Sequence, residues 1–186
     1  LLAYAEANEV HQQEYQRYLT KKTQLDPMTQ LFNKNAIENK IHAMIEQAND
    51  THTRIAVGFL DIDNFRDYNT LYGHQEGDRV IRFVASILKE NIDGIVGRTG
   101  GDEFLFCLAA VDSKTTIENE IRTVIEKLQE GLINLETGER KSIPCSIGIF
   151  AENGSQLHYS YMVQGADAAK YQAKELGKNT YYLNYN

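Results

Sequence analysis

Two glycines followed by two acids, Gly100-Gly101-Asp102-Glu103, stand between short apolar runs at 94–97 and 104–110, with Arg98 just ahead of them. Runs this short, joined by a glycine pair, are best accommodated by an antiparallel hairpin with a tight turn. Glycine also lets a phosphate come close to the main chain, and paired acids can hold a divalent cation next to it. Gly-Gly-Asp is equally ordinary turn chemistry. The hairpin is therefore either plain structure or half of a metal site, and a second acidic strand end decides between them.

That second end is Asp61-Ile62-Asp63, which follows the apolar run 54–60 (Arg-Ile-Ala-Val-Gly-Phe-Leu). The run reads as a buried strand, with Asp61 expected at the sheet's edge. Carboxylates on two strand ends, Asp61 and Asp102, can jointly hold Mg²⁺, a hard cation that takes oxygen ligands and shares its shell with water and substrate phosphates. An isolated Asp-x-Asp is a weak signal, because strand-terminal aspartates also serve as caps.

The remaining pattern alternates helices and strands. Residues 1–25 contain neither Gly nor Pro and read as one helix. Leu1, Tyr4, Asn8, His11, Tyr15, Tyr18, Lys22 and Leu25 fall on a three-and-four spacing, a weak coiled-coil seam because three members are polar. The alternative is a solvated helix packed on its own domain through the tyrosines. Pro27 breaks the chain, and Asp26 can cap the helix that follows. Further helices are expected at 33–49, 76–90, 115–132 and 160–176. The hairpin spans 95–110, a strand lies at 142–150 with Pro144 at an edge or bulge, Thr137-Gly138 is a turn, and 180–183 adds a last strand. One direct hairpin among interleaved helices predicts an α/β (α+β) fold: a mixed, largely antiparallel sheet flanked by helices.

Composition narrows the function. The 186 residues suit one domain, 26–186, plus the amino-terminal helix, and 42% hydrophobic residues supply a core. A net charge of −7 argues against nucleic acid as a partner, since no basic stripe neutralises a phosphate backbone. No apolar run approaches the ~20 residues of a membrane span and no signal-peptide pattern is present, so no membrane contact by this segment is expected. Cys107 and Cys145 lie in apolar runs and read as reduced core residues of a cytoplasmic domain. A start at Leu1 without methionine suggests a carboxy-terminal module with an upstream sensory domain, in a parent protein that membrane anchoring would equally suit.

The blocks Asp61-Ile-Asp-Asn-Phe-Arg-Asp-Tyr-Asn69, Tyr72-Gly-His-Gln-Glu-Gly-Asp78 and Arg98-Thr-Gly-Gly-Asp-Glu-Phe104 resemble the signature of GGDEF-domain diguanylate cyclases. Two flanking blocks agree, Asp26-Pro-Met-Thr-Gln-Leu-Phe-Asn33 and Ala166-Asp167 through Lys178-Asn179, so the resemblance covers about residues 26–184. It implies a fold like the palm of polymerases and class III nucleotide cyclases. It also implies condensation of two GTP into cyclic di-GMP with loss of pyrophosphate. Asp61, the Ile62 carbonyl and Asp102 would bind Mg²⁺ or Mn²⁺, and Glu103 would be a further ligand or a helper in deprotonating the 3′-hydroxyl. Asp102 is the favoured base.

By the same resemblance Asn69 and Asp78 read the guanine edge, with His74 between them as a binding or structural histidine. On structural grounds alone Asp78 would be a helix cap after Gly77. Gly100, Gly101 and the backbone near Asn64 and Phe65 approach the phosphates, and Lys174, Lys178 and the catalytic Arg66 meet the triphosphate. Each domain would carry one GTP, so catalysis requires an antiparallel homodimer, with the amino-terminal helix as its signalling stalk.

Several positions depart from the family pattern. Lys178 stands where Arg is usual and Arg66 where Lys is usual, which exchanges fork geometry between the two. Gln30 replaces a glycine and Lys34 an arginine. Lys170 replaces a common leucine, suggesting a partly exposed helix face. Asn91 and Gly94 occupy the positions of the Arg-x-x-Asp product site, so no tight product inhibition is expected there. Two rival readings remain beside an active cyclase: a non-catalytic GTP-binding regulatory module, and a cyclase making an adenine-containing product, which Asp78 disfavours.

Overall fold

The computed structural model describes residues 10–16, 19, 23–135 and 137–186. Residues 10–16 are helical, with His11 and Tyr15 exposed. The remaining seam positions Leu1, Tyr4, Asn8, Tyr18 and Lys22 lie outside the described residues. Leu25 leaves the helical register to bridge Phe32.

Chain order is then α1 (Lys34–Thr51), β1 (Arg54–Ile62), α2 (Phe65–Tyr72), α3 (His74–Asn91), β2 (Ile95–Gly100), β3 (Glu103–Leu108), α4 (Lys114–Glu130), the two-residue strands β4 (Leu132–Ile133) and β5 (Arg140–Lys141), β6 (Cys145–Asn153), α5 (Tyr159–Glu175) and β7 (Thr180–Tyr185). The main sheet has five strands in the order β2-β3-β1-β6-β7. Every pairing is antiparallel except β6 with β7. The expected mixed, largely antiparallel sheet is therefore present.

Helices cover both faces, and the side-chain alternation of β1 explains how. Ala56, Leu60 and Ile62 join one core cluster with Val80, Val84 and Leu88 of α3 and Ile117, Ile121 and Val124 of α4. Ile55 and Val57 join the other cluster, with Ile37 and Ile41 of α1 and Met162 and Ala166 of α5. A strand buried on both faces needs apolar residues in consecutive positions, which is why 54–60 reads as an unbroken run rather than an alternation. Both cysteines are buried, free thiols, and burial pushes each well above its ordinary range.

Three local expectations are corrected, and one helix is added. Asp61 is not at the sheet's edge: β1 is the central strand, and Asp61 pairs with Glu103 on one side and Ser146 on the other. Asp26 does not cap a helix; its Oδ2 accepts from the backbone N and the hydroxyl of Thr29, closing a turn, and Asn33 is the N-cap of α1. Asp78 is not a cap either, because α3 already begins at His74. The short helix α2, which overlaps the Asp61–Asn69 block, has no counterpart among the helices expected from the sequence, and its eight residues bury none of their side chains fully. Pro144 lies one residue before β6, and its carbonyl accepts from the Asp63 N–H at 2.8 Å.

Candidate active site

The carboxy-terminal end of β1 and the β2–β3 turn meet at one end of the sheet. The Ile62 N–H donates to the Asp102 carbonyl at 3.3 Å, which carries the β1–β3 ladder into the turn and fixes Asp102 beside Asp61. Gly101 takes φ +52 and Gly100 φ +152, and no atom of the described residues lies within 4 Å of where a Cβ would be on either. The turn thus offers bare backbone to the solvent side, the geometry a phosphate needs for close approach. Arg98 locks the turn from behind: its Nε and Nη2 donate to the Gly101 carbonyl at 2.9 and 2.8 Å.

Three acids crowd this end. Burial raises the Asp102 carboxyl above its ordinary range, the charges of Asp61 and Glu103 raise it further, and Lys174 opposes them. Like charges held together in this way are relieved by a cation, so Asp61 and Asp102 fit a divalent metal. Among the described residues no three acids, imidazoles or thiols converge into a finished cage. Such an incomplete donor set suits a metal that brings substrate phosphate and water as its other ligands.

Two lysines of α5 face the acids. Lys174 Nζ lies 3.1 Å from Asp61 Oδ2, and Lys170 Nζ lies 2.9 Å from Glu103 Oε1 and 3.0 Å from Asp167 Oδ1. Lys170 and Lys174 are one helical turn apart, and Asp61 and Glu103 are register partners, so the two ion pairs run side by side. Lys170 was expected on a partly exposed face and is instead 8% exposed. The cause is the close seating of α5 on β6: a Cβ on Gly148 would lie 1.8 Å from the Lys170 backbone nitrogen. With the helix seated this closely, the Lys170 Nζ lies over the Phe59 ring, 5.0 Å from its centroid. Burial alone would lower the Lys170 ammonium, yet its bonds to Glu103 and Asp167 hold it above the usual lysine value.

Asp63, the second acid of Asp-x-Asp, has a different use. It is buried, accepts from Ser146 Oγ at 2.6 Å and from the Asn179 N–H at 2.8 Å, and ties β1, β6 and the loop after α5 together. Its position two residues past Asp61 was the one sequence signal for it. The same loop carries Lys178, whose Nζ donates to Asn64 Oδ1 at 2.7 Å; both residues have left-handed backbone, φ 65 and φ 54. Lys178 is thus beyond the helix that carries Lys174. Asn64 leads directly into Phe65 and the exposed Arg66 at the start of α2, with no side-chain cap on that helix.

The α2–α3 corner holds the other predicted residues. A Cβ on Gly77 would lie 1.8 Å from Asn69 Oδ1 and 3.3 Å from the Phe65 ring, so Asn69, Phe65 and Gly77 pack as one group. Asn69 Oδ1 is buried and has no hydrogen-bond partner among the described residues. A buried acceptor left in this state is costly unless something else donates to it. Asp78 follows Gly77, half-buried, on α3, and His74 is exposed at that helix's first position. Among the described residues no helix is long and apolar enough to cross a membrane.

Residues 23–180 match the family described as diguanylate cyclase, GGDEF domain. The chain is 32% identical over 158 residues to the probable diguanylate cyclase DgcT of Escherichia coli strain K12, covering 83% of this chain and 34% of that protein. It is 34% identical over 164 residues to the cyclic di-GMP phosphodiesterase PdeR of the same strain, covering 84% of this chain and 23% of that protein. The chain therefore spans about a third or less of the length of these relatives. The coiled coil and GGDEF domain of DgcB from Caulobacter crescentus, solved in complex with c-di-GMP, matches with a TM-score of 0.88 at 25% identity, covering 98% of this chain and 97% of that one. With the family model matching residues 23–180 and a fold shared across nearly the whole chain, the chain belongs to the GGDEF-domain family.

Proposed function

We propose that this domain condenses two GTP molecules into cyclic di-GMP, releasing two pyrophosphates, with Mg²⁺ or Mn²⁺ bound at Asp61, the Ile62 carbonyl and Asp102. The observation that carries the reading is the placement of Asp61 and Asp102 on adjoining strand ends beside the bare Gly100-Gly101 backbone. When bound, the metal neutralises phosphate charge and acidifies the attacking hydroxyl. Asp102, which the turn presents beside Asp61 and the bare glycine backbone, is the carboxylate we assign to take the 3′-hydroxyl proton. The oxygen then attacks the α-phosphorus of the second nucleotide, and the bond to pyrophosphate breaks; a repeat of the step closes the ring.

The chain's own residues supply recognition and alignment. Asn69 and Asp78 hold the guanine edge: the carboxylate accepts the N1 and N2 hydrogens, and the Asn69 amide, whose Oδ1 has no partner among the described residues, meets the ring. Lys174, which pairs with Asp61 at 3.1 Å, would be the cation free to meet phosphate where a metal held that carboxylate. Lys178, Arg66 and the free amides at the start of α2 receive the remaining phosphate charge. Each domain carries one nucleotide, so two copies meet in antiparallel fashion, in the cytoplasm, under an upstream sensory domain.

A regulatory reading draws on the likeness to PdeR, whose name is that of a phosphodiesterase. Incubating the purified protein with GTP, ATP and Mg²⁺ and separating the products by chromatography distinguishes the two. Cyclic di-GMP is the expected product; absence of any dinucleotide at high protein concentration favours the regulatory module, and a mixed product overturns the guanine assignment.

A further inference from the structure

We propose that Lys170 is a positioning residue that sequesters Glu103, so that the cation site is built from Asp61 and Asp102 and stays weak until nucleotide arrives. The inference rests on the metal–nucleotide reading above. Glu103 is the register partner of Asp61 and adjoins Asp102, which places it where a third carboxylate would complete a cation cage. Its Oε1 is instead engaged by Lys170 Nζ at 2.9 Å.

This ammonium is fixed in place. The Lys170 backbone is pressed onto Gly148, and the ammonium sits over the Phe59 ring and is held a second time by Asp167 at 3.0 Å. A buried ammonium is held in place by its carboxylate partners, so drawing Glu103 away to a metal would cost it one of two and leave Asp167 alone to balance the charge. Lys174 differs: it is more exposed than Lys170 and has one carboxylate partner, so it can leave Asp61 for phosphate. The two parallel ion pairs therefore do different work, one releasable and one permanent. Two carboxylates bind a bare divalent cation weakly, and triphosphate oxygens supply the ligands that Glu103 does not.

Mn²⁺ binding to the nucleotide-free protein, followed by electron paramagnetic resonance or calorimetry, tests this. Lys170→Met frees Glu103 and is expected to tighten Mn²⁺ binding roughly tenfold, an ordinary coupling between linked groups. Lys170→Arg keeps the pair and leaves the constant near that of the unaltered protein. In a Glu103→Gln background the gain from Lys170→Met disappears. Should Lys170→Met fail to fold by circular dichroism, Lys170→Gln serves in its place.

No tightening in the folded variant would overturn the proposal, as would a full gain that persists without Glu103, since that is a general charge effect. A tenfold loss of Mn²⁺ affinity from Glu103→Gln alone would also overturn it, because Glu103 would then already be a ligand. Asp61→Asn separates this failure from failure of the site reading. If Asp61→Asn binds Mn²⁺ as the unaltered protein does, both fall; if it loses binding while Lys170→Met is silent, the role of Lys170 alone is refuted.

Discussion

Arg98 and Asp26 join the start of the domain to the acidic turn. Arg98 Nη1 lies 3.3 Å from both Asp26 carboxylate oxygens, and the same guanidinium holds the Gly101 carbonyl. The backbone reinforces the link: Phe32 N–H donates to the Val96 carbonyl, and Arg98 N–H donates to the Phe32 carbonyl at 2.8 Å. The segment after the amino-terminal helix is thus sewn to β2, the strand that delivers Gly100 to the site.

Arg98→Met removes the clamp without changing the turn glycines. It leaves the Gly101 carbonyl and a largely covered Asp26 carboxylate short of donors, so stability is expected to fall by about 1–3 kcal/mol. Urea unfolding measures this. Amide exchange at 100–103 should quicken more than exchange in α4, because the turn loses its brace while the far helix keeps its core.

The same pair gives acid sensitivity with a definite sign. Burial alone would raise the Asp26 carboxyl, but hydrogen bonds from Thr29 and the charge of Arg98 outweigh it and hold the group below 3.8. The folded protein then binds fewer protons than the unfolded chain at mildly acid pH, so stability rises with pH there. The contribution is complete above about pH 5 and is lost as pH falls below about 4 through the depressed value. Urea midpoints for the native protein and Asp26→Asn should differ at pH 7 and converge towards pH 3.

Much of the site was legible because its chemistry is local in sequence. Strand ends announce themselves by an acid after an apolar run, as at Asp61, and a glycine pair marks the turn that carries Asp102. Lys170 was not legible. Its burial depends on α5 settling against Gly148, a residue more than twenty positions away on β6 whose missing side chain carries no local sign of what it admits. Asp63 was half legible: its acid was visible, but its partners Ser146 and Asn179 come from β6 and the loop before β7. Helix α2 escaped notice because it is short and packs by partial burial.

Gly77 is required by Asn69 more than by the helix that contains it. Its φ is ordinary for α3, and alanine would favour the helix by roughly 1 kcal/mol, yet the added methyl would land 1.8 Å from Asn69 Oδ1. The amide must swing away, at little cost to the fold because it is the end of a side chain. If Asn69 reads the base as proposed, Gly77→Ala is expected to keep its thermal midpoint and to weaken GTP binding about tenfold or more, through loss of one hydrogen bond. Fluorescent-GTP titration beside a melting curve checks the separation; equal losses in both would place the role of Gly77 in packing alone.

If the domain is the proposed cyclase, the surface ahead of the hairpin should not restrain it through its product. Asn91 is in the last turn of α3, with its amide donating to the Ile87 carbonyl at 2.7 Å, and it carries no charge to offer a phosphate. Gly94 is closed to an acid for a steric reason: a Cβ there would lie 2.1 Å from the Cys107 carbonyl oxygen, a backbone atom fixed in the β2–β3 ladder. A guanidinium and a carboxylate therefore cannot be presented together without moving the strand. Calorimetric titration with cyclic di-GMP is expected to show only weak binding at this surface, and progress curves should not slow through it as product accumulates. Asn91→Arg with Gly94→Asp should lose stability rather than gain a product site. Tight cyclic di-GMP binding that survives Asp102→Asn would contradict the argument, because it would require a product site built from other residues.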